Sequence, residues 1–418
     1  EQDLHRIVDT FTRCVEEVGY SRLVPMIEIE RNGFNLNIAR YIESSESKDT
    51  HSIEAHLRGG IPEADVAALG RYWDVFPSLR AELFEPDREG YARLTVASDR
   101  IDEVIFEHPE VAELVDDVRA RLGNWRAAAA KALRSVDTNS HPKSIVADLS
   151  EELLDTFRGV RLIDPYDVYQ QFMDYSSRTL LDDLYLVVDG GWSGAAKPRV
   201  IIDKKNQKAK DKEEPDFVVG KQKFKSDLLD AELMISRYFA GERAAIEQAG
   251  VAAAAAAQVV AGAAEEHGGE DGLLESVVSD SGNITKGAIA ARLRELGDDE
   301  DTPRERDLLK VCLEALAEEA NAKATGKRLT AELALKLQRG YAALTEDEAR
   351  ELTVGGKWLP SVEMRVLGEV ERVTRSLSSR VAELAARYAR SLPSIELEID
   401  ETRLAVTRHL ASMGYEWS

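Results

Sequence analysis

Between Val362 and Leu392, nine apolar or aromatic residues follow one another at intervals of 4, 4, 3, 4, 4, 3, 4 and 4: Val362, Val366, Val370, Val373, Leu377, Val381, Leu384, Tyr388 and Leu392. Side chains three and four positions apart share one face of an α-helix. The run therefore specifies a helix with a continuous apolar seam, close to a heptad repeat, that must be covered by another element. After Pro393 the pattern restarts with Ile395, Ile399, Thr402, Val406, Leu410 and Met413. Proline is tolerated in the first turn of a helix, so two helices joined at Leu392–Pro393 are predicted, as an antiparallel pair or two arms of a bundle. The spacing alone does not say whether the seam closes inside the chain or against a partner.

Helix dominates elsewhere too. The run Ala252–Ala257 has the highest helix propensity available, and a helix is predicted over Leu228 to Glu265, ended by Gly268 and Gly269. A second helical pattern lies between Pro303 and Gly340. Pro109 opens a third, carrying Val111, Leu114, Val115, Val118, Leu122 and Trp125. Strand signals are few. Phe34 to Ile38 and Tyr91 to Val96 alternate, and Leu184–Val188 with Val200–Ile202 would make a small hairpin around the turn Gly190–Gly194. The expected fold is mainly α, a helical bundle with a coiled-coil-like C-terminal region and a small α+β segment in the N-terminal half. Its expected parts are a first segment, 1–44; an α+β middle domain, 45–226, with a Lys-rich loop; and a helical domain, 227–418, with the C-terminal helix pair.

Charge limits the partners. The 418 residues carry a net charge of −23, yet Lys197 to Lys225 holds ten basic residues against five acids, leaving −28 for the rest. So acidic a chain cannot hold DNA through its overall field, because phosphate binding exchanges cations for counterions. Any nucleic-acid contact must be local, and the run Lys204 to Lys212 is the candidate; the alternative is a solvated loop. The alanine-rich run around Val251 to Ala264 is bracketed by Glu247 and Glu265, and no membrane span is expected there. Two cysteines nearly 300 positions apart, Cys14 and Cys312, frame neither a disulfide scaffold nor a thiolate site. His51 and His56 stand five apart, off one helical face. A reduced, cytoplasmic, metal-free chain is the expectation.

Nucleophile elbows, Walker loops and dinucleotide fingerprints are absent. Asp182 and Asp183 are adjacent and so point apart, unsuited to act as a general acid/base pair. One stretch comes near a catalytic signature. In Ile163-Asp164-Pro165-Tyr166 the order Asp-Pro-aromatic resembles the site with which DNA amino-methyltransferases grip a flipped base, but the second proline is missing and a helical pattern follows.

Several stretches, in order, resemble the modification subunits of type I restriction-modification systems. They are Tyr20–Val24 with Asn35–Tyr41; Asp167–Gln170, Met173–Tyr175, Asp182–Tyr185 and Gly191-Trp192; Arg237–Ala240 and Glu265–Leu274; then Lys357–Leu359, Arg380–Tyr388 and His409–Trp417. The resemblance implies an adenine-specific DNA methyltransferase that uses S-adenosylmethionine and works with a specificity subunit, a restriction subunit and DNA. The family's methyl-donor loop and Asn/Asp-Pro-Pro-aromatic site have no matching positions here, so no catalytic residue carries over and no cofactor is assigned to this chain. It reads as the carboxy-terminal part of such a subunit, with 1–44 as the tail that follows the methyltransferase domain. Val373, Leu377, Val381, Leu384, Tyr388, Val406, Leu410 and Met413 are then the candidate contacts to the specificity subunit. Lys204, Lys205, Lys208, Lys210, Lys212, Lys221, Lys223 and Lys225 are the candidate DNA contacts. Two other readings stand beside this one: an autonomous methyltransferase built on Asp164-Pro165-Tyr166, and an acidic helical DNA mimic or scaffold.

Overall fold

The computed structural model describes residues 2–17, 19–42, 51–202, 213–269, 272–279, 282–297 and 303–414. The chain is mainly α-helical, and the described residues include two small three-stranded antiparallel sheets. It divides into two compact units. The first comprises Glu1–Ser135, His141–Leu184 and Trp358–Ser418; the second comprises Val136–Ser140 and Tyr185–Lys357. This division departs from the three consecutive segments expected, because the C-terminal helices belong to the same unit as the N-terminal residues.

In the first unit the apolar seam forms the helix Leu359–Tyr388. Every seam residue from Val362 to Tyr388 is buried, and Leu377 and Val381 are fully so. The helices Ile101–Phe106, Pro109–Arg134 and Pro165–Tyr175 cover it. Val111, Leu114, Val118, Leu122 and Trp125 make the facing stripe on Pro109–Arg134. Polar bonds set the register: Arg126 pairs with Glu363 at 2.6 Å, Gln171 donates to the buried Glu369 at 2.7 Å, and the Tyr388 hydroxyl donates to Asp65 at 2.8 Å. The seam therefore closes inside the chain. Val373, Leu377, Val381, Leu384 and Tyr388 are core residues here, not exposed contact positions, because three helices of the same unit already supply the apolar faces they need.

The terminal helix Leu392–Ser412 is the opposite case, with no buried residue along its 21 positions. Val406 is 46% exposed and Met413, just past its end, 76%; Leu410 is half-buried. The helix touches Ile53–Arg58.

Two strand expectations change. Tyr91–Leu94 is the central strand between Ile61–Pro62 and Phe84–Arg88, but Phe34–Ile38 is not a strand. Gly33 and Phe34 turn with positive φ, Asn35 accepts from the Asn37 amide through its side chain, and no described strand pairs with the segment. Alternation without a partner edge does not make a sheet. The stretch Leu184–Val188 lies within the helix Leu181–Ala195, which bends at Gly191 (φ 65°). A short apolar run suits a buried helix as well as a strand, and the buried Leu184, Val187 and Trp192 show which applies. Gly190–Gly194 is thus a kink in a helix, not a turn between strands.

In the second unit the predicted helix over Leu228 to Glu265 breaks at Phe239 (φ −131°) into Ala231–Tyr238 and Ala240–His267. Ala240–His267 packs along the 41-residue helix Pro303–Ala343. The two run antiparallel, since Lys336 pairs with Glu242 at one end while Val260 packs with Leu309 and Cys312 at the other. Near their middle, the Cβ of Ala249 lies 3.7 Å from the position a Cβ would take at Gly326, so a small residue there lets the helices approach. Leu274, Val277, Ile284, Ile289 and Leu296 complete the core at the Val260 end. Among the described residues Ala240–His267 is the one helix long and apolar enough to cross a membrane by length and composition; here Ala253, Ala256 and Val260 are buried.

Candidate functional site

The basic segment is placed in part. Lys204, Lys205, Lys208, Lys210 and Lys212 lie outside the described residues, as does the serine-rich stretch Glu43 to Asp49. Lys221, Lys223 and Lys225 sit on the hairpin Phe217–Val219/Gln222–Lys225. Alternation puts Phe224 inward, stacked on Phe217 at 5.1 Å, and Lys223 and Lys225 on the other face, with Lys221 in the turn. Lys221 is exposed and Lys223 half-buried. Lys225 is paired with Asp216 at 2.6 Å, and the hydrogen bond from its ammonium to that carboxylate holds its pKa up. Arg199, opposite Lys225 in the sheet, is shared between Glu213 and Asp227. Two of the described cations of the basic segment, Arg199 and Lys225, are thus held by nearby carboxylates.

The stretch Asp164-Pro165-Tyr166 has a structural explanation. Asp164 is the N-cap of Pro165–Tyr175, its carboxylate accepting from the Tyr166 amide at 2.9 Å, with Pro165 at the first helical position. Asp182 and Asp183 fall on a helix. Asp183 is buried and accepts from the Trp358 indole N–H at 2.7 Å, which makes it a packing anchor. His51 and His56 do meet, Nδ1 to Nε2 at 3.2 Å, because His51 precedes the helix Ile53–Arg58 and is not held to helical spacing. No group of three or more potential metal ligands converges among the described residues.

The arrangement that sequence reasoning missed lies at the first helix, Gln2–Arg13. Its polar face is turned inward. Asp9, whose side chain is only 10% exposed, receives Arg158 and Arg13, each at 2.7 Å, and the Tyr166 hydroxyl. Burial pushes the Asp9 pKa up, but the bonds from Tyr166 and Arg158 and the charges of Arg158 and Arg13 outweigh it, so the carboxyl sits below its ordinary range. Arg6 bridges Glu17 and Asp164 and lies over the Tyr20 ring at 4.2 Å. Gln2 bonds Gln170 and Asp167, and His5 stacks on Tyr169 with ring centroids 4.6 Å apart. A carboxylate locked by three donors holds position and is ill-suited to abstract a proton. The cluster is a clamp, fastening the first helix to the turn between Pro142–Phe157 and Pro165–Tyr175.

The helix spacing of Leu4, Ile7, Val8 and Phe11 was visible in the sequence, and so were the charges at positions 6, 9 and 13. Which of the two faces would be inward was not. Residues 1–50 match the family model of the N-6 DNA methylases. Over that segment the chain is similar to the N-6 DNA methylases. No curated protein and no solved structure matches it.

Proposed function

We propose that this chain is the carboxy-terminal assembly and DNA-positioning region of the modification subunit of a type I restriction-modification system. The parent enzyme transfers a methyl group from S-adenosylmethionine to adenine in DNA. This region docks the specificity subunit, in a cytoplasmic complex that also takes a restriction subunit. The observation that carries the reading is the terminal helix. Whereas Pro109–Arg134, Pro142–Phe157, Pro165–Tyr175 and Leu359–Tyr388 of the same unit carry buried stripes, Leu392–Ser412 buries nothing, and Leu397, Ile399, Leu404 and Val406 stand about half or more exposed. Most of a helix's stability in a protein comes from packing its apolar face, so an exposed apolar helix implies a surface that completes it. Of the eight candidate contacts, Val406, Leu410 and Met413 remain for this role.

Light scattering on a sizing column, with the chain alone and with the specificity subunit, tests it. The expected result is a stoichiometric complex that disappears when the chain is cut after Pro393, with the rest of the first unit still folded. A complex that survives the cut places docking elsewhere.

The DNA-positioning part has its own test. If Lys204, Lys205 and Lys208 touch phosphates, replacing all three with glutamine in the assembled complex lowers the slope of log affinity against log salt by up to about 2.7, near 0.9 per lost contact. An unchanged slope removes these lysines from the interface.

A further inference from the structure

Where Ala240–His267 lies along Pro303–Ala343, the facing residues are too small to fill the space between the helices. Ala249, Gly250, Ala253, Ala322 and Gly326 line an open groove of about 810 Å³, all of it within the second unit. Its walls are large and apolar. Toward one end stand Phe217 of the hairpin, Ile235 of Ala231–Tyr238, Ile246, Leu333 and Leu337. Phe217, Leu333 and Leu337 are buried, and Phe217 is held by stacking on Tyr341 at 6.0 Å. The other end carries the charge, with Lys323 and Lys327. Lys323 pairs with Glu319, one turn earlier. Lys327 is exposed and has no ion pair or hydrogen bond among the described residues. The remaining polar side chains of the lining are engaged. Asp216 holds Lys225 at 2.6 Å and the Ser226 amide at 2.8 Å, and the Thr330 hydroxyl donates to the Gly326 carbonyl at 2.9 Å.

Helices that only close a core on each other interdigitate without a gap of this size. A concave apolar site with few polar groups, at a volume between about 300 and 1,000 Å³, is the form that small-molecule sites take. We propose that the groove binds a small amphipathic organic anion, an apolar chain or ring bearing one carboxylate or comparable head group. The tail lies among Phe217, Ile235, Ile246, Leu333 and Leu337, and the head pairs with Lys327. The layout selects this occupant. Lys327 precedes Leu337 by ten residues, about 15 Å of helix, so cation and apolar end are separated as a head is from a tail. The apolar end is walled by the hairpin, by Ala231–Tyr238 and by the helix pair, which suits a tail that enters and stops. The chain as a whole carries −23 and attracts cations; an unpaired ammonium at the groove reverses that preference locally. A bound anion would touch four elements of the second unit at once and, binding only the folded form, would stabilise it by mass action.

Dodecanoate, below its micellar concentration, is the probe, added to the full chain in a calorimeter. The expected result is saturable binding of one molecule per chain, with slowed hydrogen exchange from Ile246 to Ala253 and from Ala322 to Leu337. Dodecyltrimethylammonium, with the same tail and the opposite charge, binds at least about tenfold more weakly. Lys327→Glu weakens dodecanoate binding at least about tenfold, and Lys327→Arg retains it. Lys310→Glu, on the same helix but outside the groove, leaves it unchanged. Gly250→Leu fills the groove and abolishes binding. A Cβ at Gly250 meets nothing within 4 Å, and leucine favours helix over glycine, so this variant keeps its fold; circular dichroism and melting confirm that.

Absence of saturable dodecanoate binding overturns the proposal. So does equal binding by Gly250→Leu, which would put the probe elsewhere on the chain. Equal affinity for dodecyltrimethylammonium, or for dodecanoate in Lys327→Glu, overturns it by removing the anion preference. If dodecanoate fails to bind while Gly250→Leu weakens the complex with the specificity subunit, the groove belongs to a protein partner and the proposal falls. The dodecanoate measurements do not involve Leu392–Ser412, so this proposal and the docking role stand or fall separately.

Discussion

Leu377→Ala is expected to lower the stability of the first unit by about 2–5 kcal/mol, while Val406→Ala changes it by less than about 0.5. Both positions continue a helical pattern of apolar residues in the sequence. Leu377 is fully buried between the chain's own helices, so truncation removes transfer energy and leaves a cavity. Val406 stands on a helix with no buried residue, and truncation there loses little that folding had gained. Denaturant unfolding followed by hydrogen exchange of the Leu359–Tyr388 amides reads the difference locally, which matters in a chain of two units where a single global transition is not assured. Comparable losses at both positions would show that the terminal helix is packed, and would remove the observation behind the proposed docking role. If the docking role holds, the order reverses in the assembled complex: Val406→Ala weakens the contact to the specificity subunit and Leu377→Ala does not.

Asp9→Asn is expected to cost about 1–3 kcal/mol at neutral pH and to flatten the acid limb of the stability curve. The sign follows from the direction of the shift. The folded-state pKa of Asp9 is depressed, since the bonds from Tyr166 and Arg158 and the charges of Arg158 and Arg13 outweigh the cost of burial. The unfolded state therefore binds the proton more readily. The stabilisation is fully present above the unfolded carboxylate pKa, near about 4, and is lost as pH falls through the lower folded value. Glu110, held down by bonds from the Leu79 and Ser78 amides despite burial, contributes an acid limb of the same sign. The informative quantity is therefore the difference between wild type and Asp9→Asn across pH. A difference that does not shrink on acidification would mean that the clamp contributes packing and not charge. Because Asp9 fastens Gln2–Arg13, the same variant should speed exchange along that helix more than along Leu359–Tyr388.

The helices were legible in the sequence where three signals coincided. Val362 to Tyr388 combined unbroken 3/4 spacing, a proline at its start and no glycine on the seam, and it folds as one helix. Pro109–Arg134 and Pro303–Ala343 likewise open at a proline and carry helical spacing, the second with Gly326 at its contact with Ala249. Legibility failed where a local pattern suited two answers. Leu184–Val188 is five apolar residues in a row, which a buried helix and a buried strand share, and the choice was made by Trp358 bonding Asp183 and by Trp192 finding a buried site. Phe34–Ile38 alternated as a strand does but met no edge to pair with. Asp164-Pro165-Tyr166 looked like chemistry because cap, first-turn proline and aromatic occur in the same order in a helix start and in a base-binding site. Only the bond from the Tyr166 amide to Asp164 distinguishes them.

By itself the sequence determined that this chain is mostly helix, where its longest helices lie, that its net charge forbids a broad DNA-binding surface, and that its ordered motifs resemble a methyltransferase subunit. Each of these depends on residues close together in the chain, or on sums over it, and such properties survive without knowledge of contacts. The tertiary structure alone decided which apolar faces are covered. It put the Val362–Tyr388 seam inside, left Leu392–Ser412 and the outer face of Gln2–Arg13 bare, and turned Arg6 and Asp9 inward. Periodicity shows that a helix has an apolar side; what lies against that side is set by residues one to three hundred positions away.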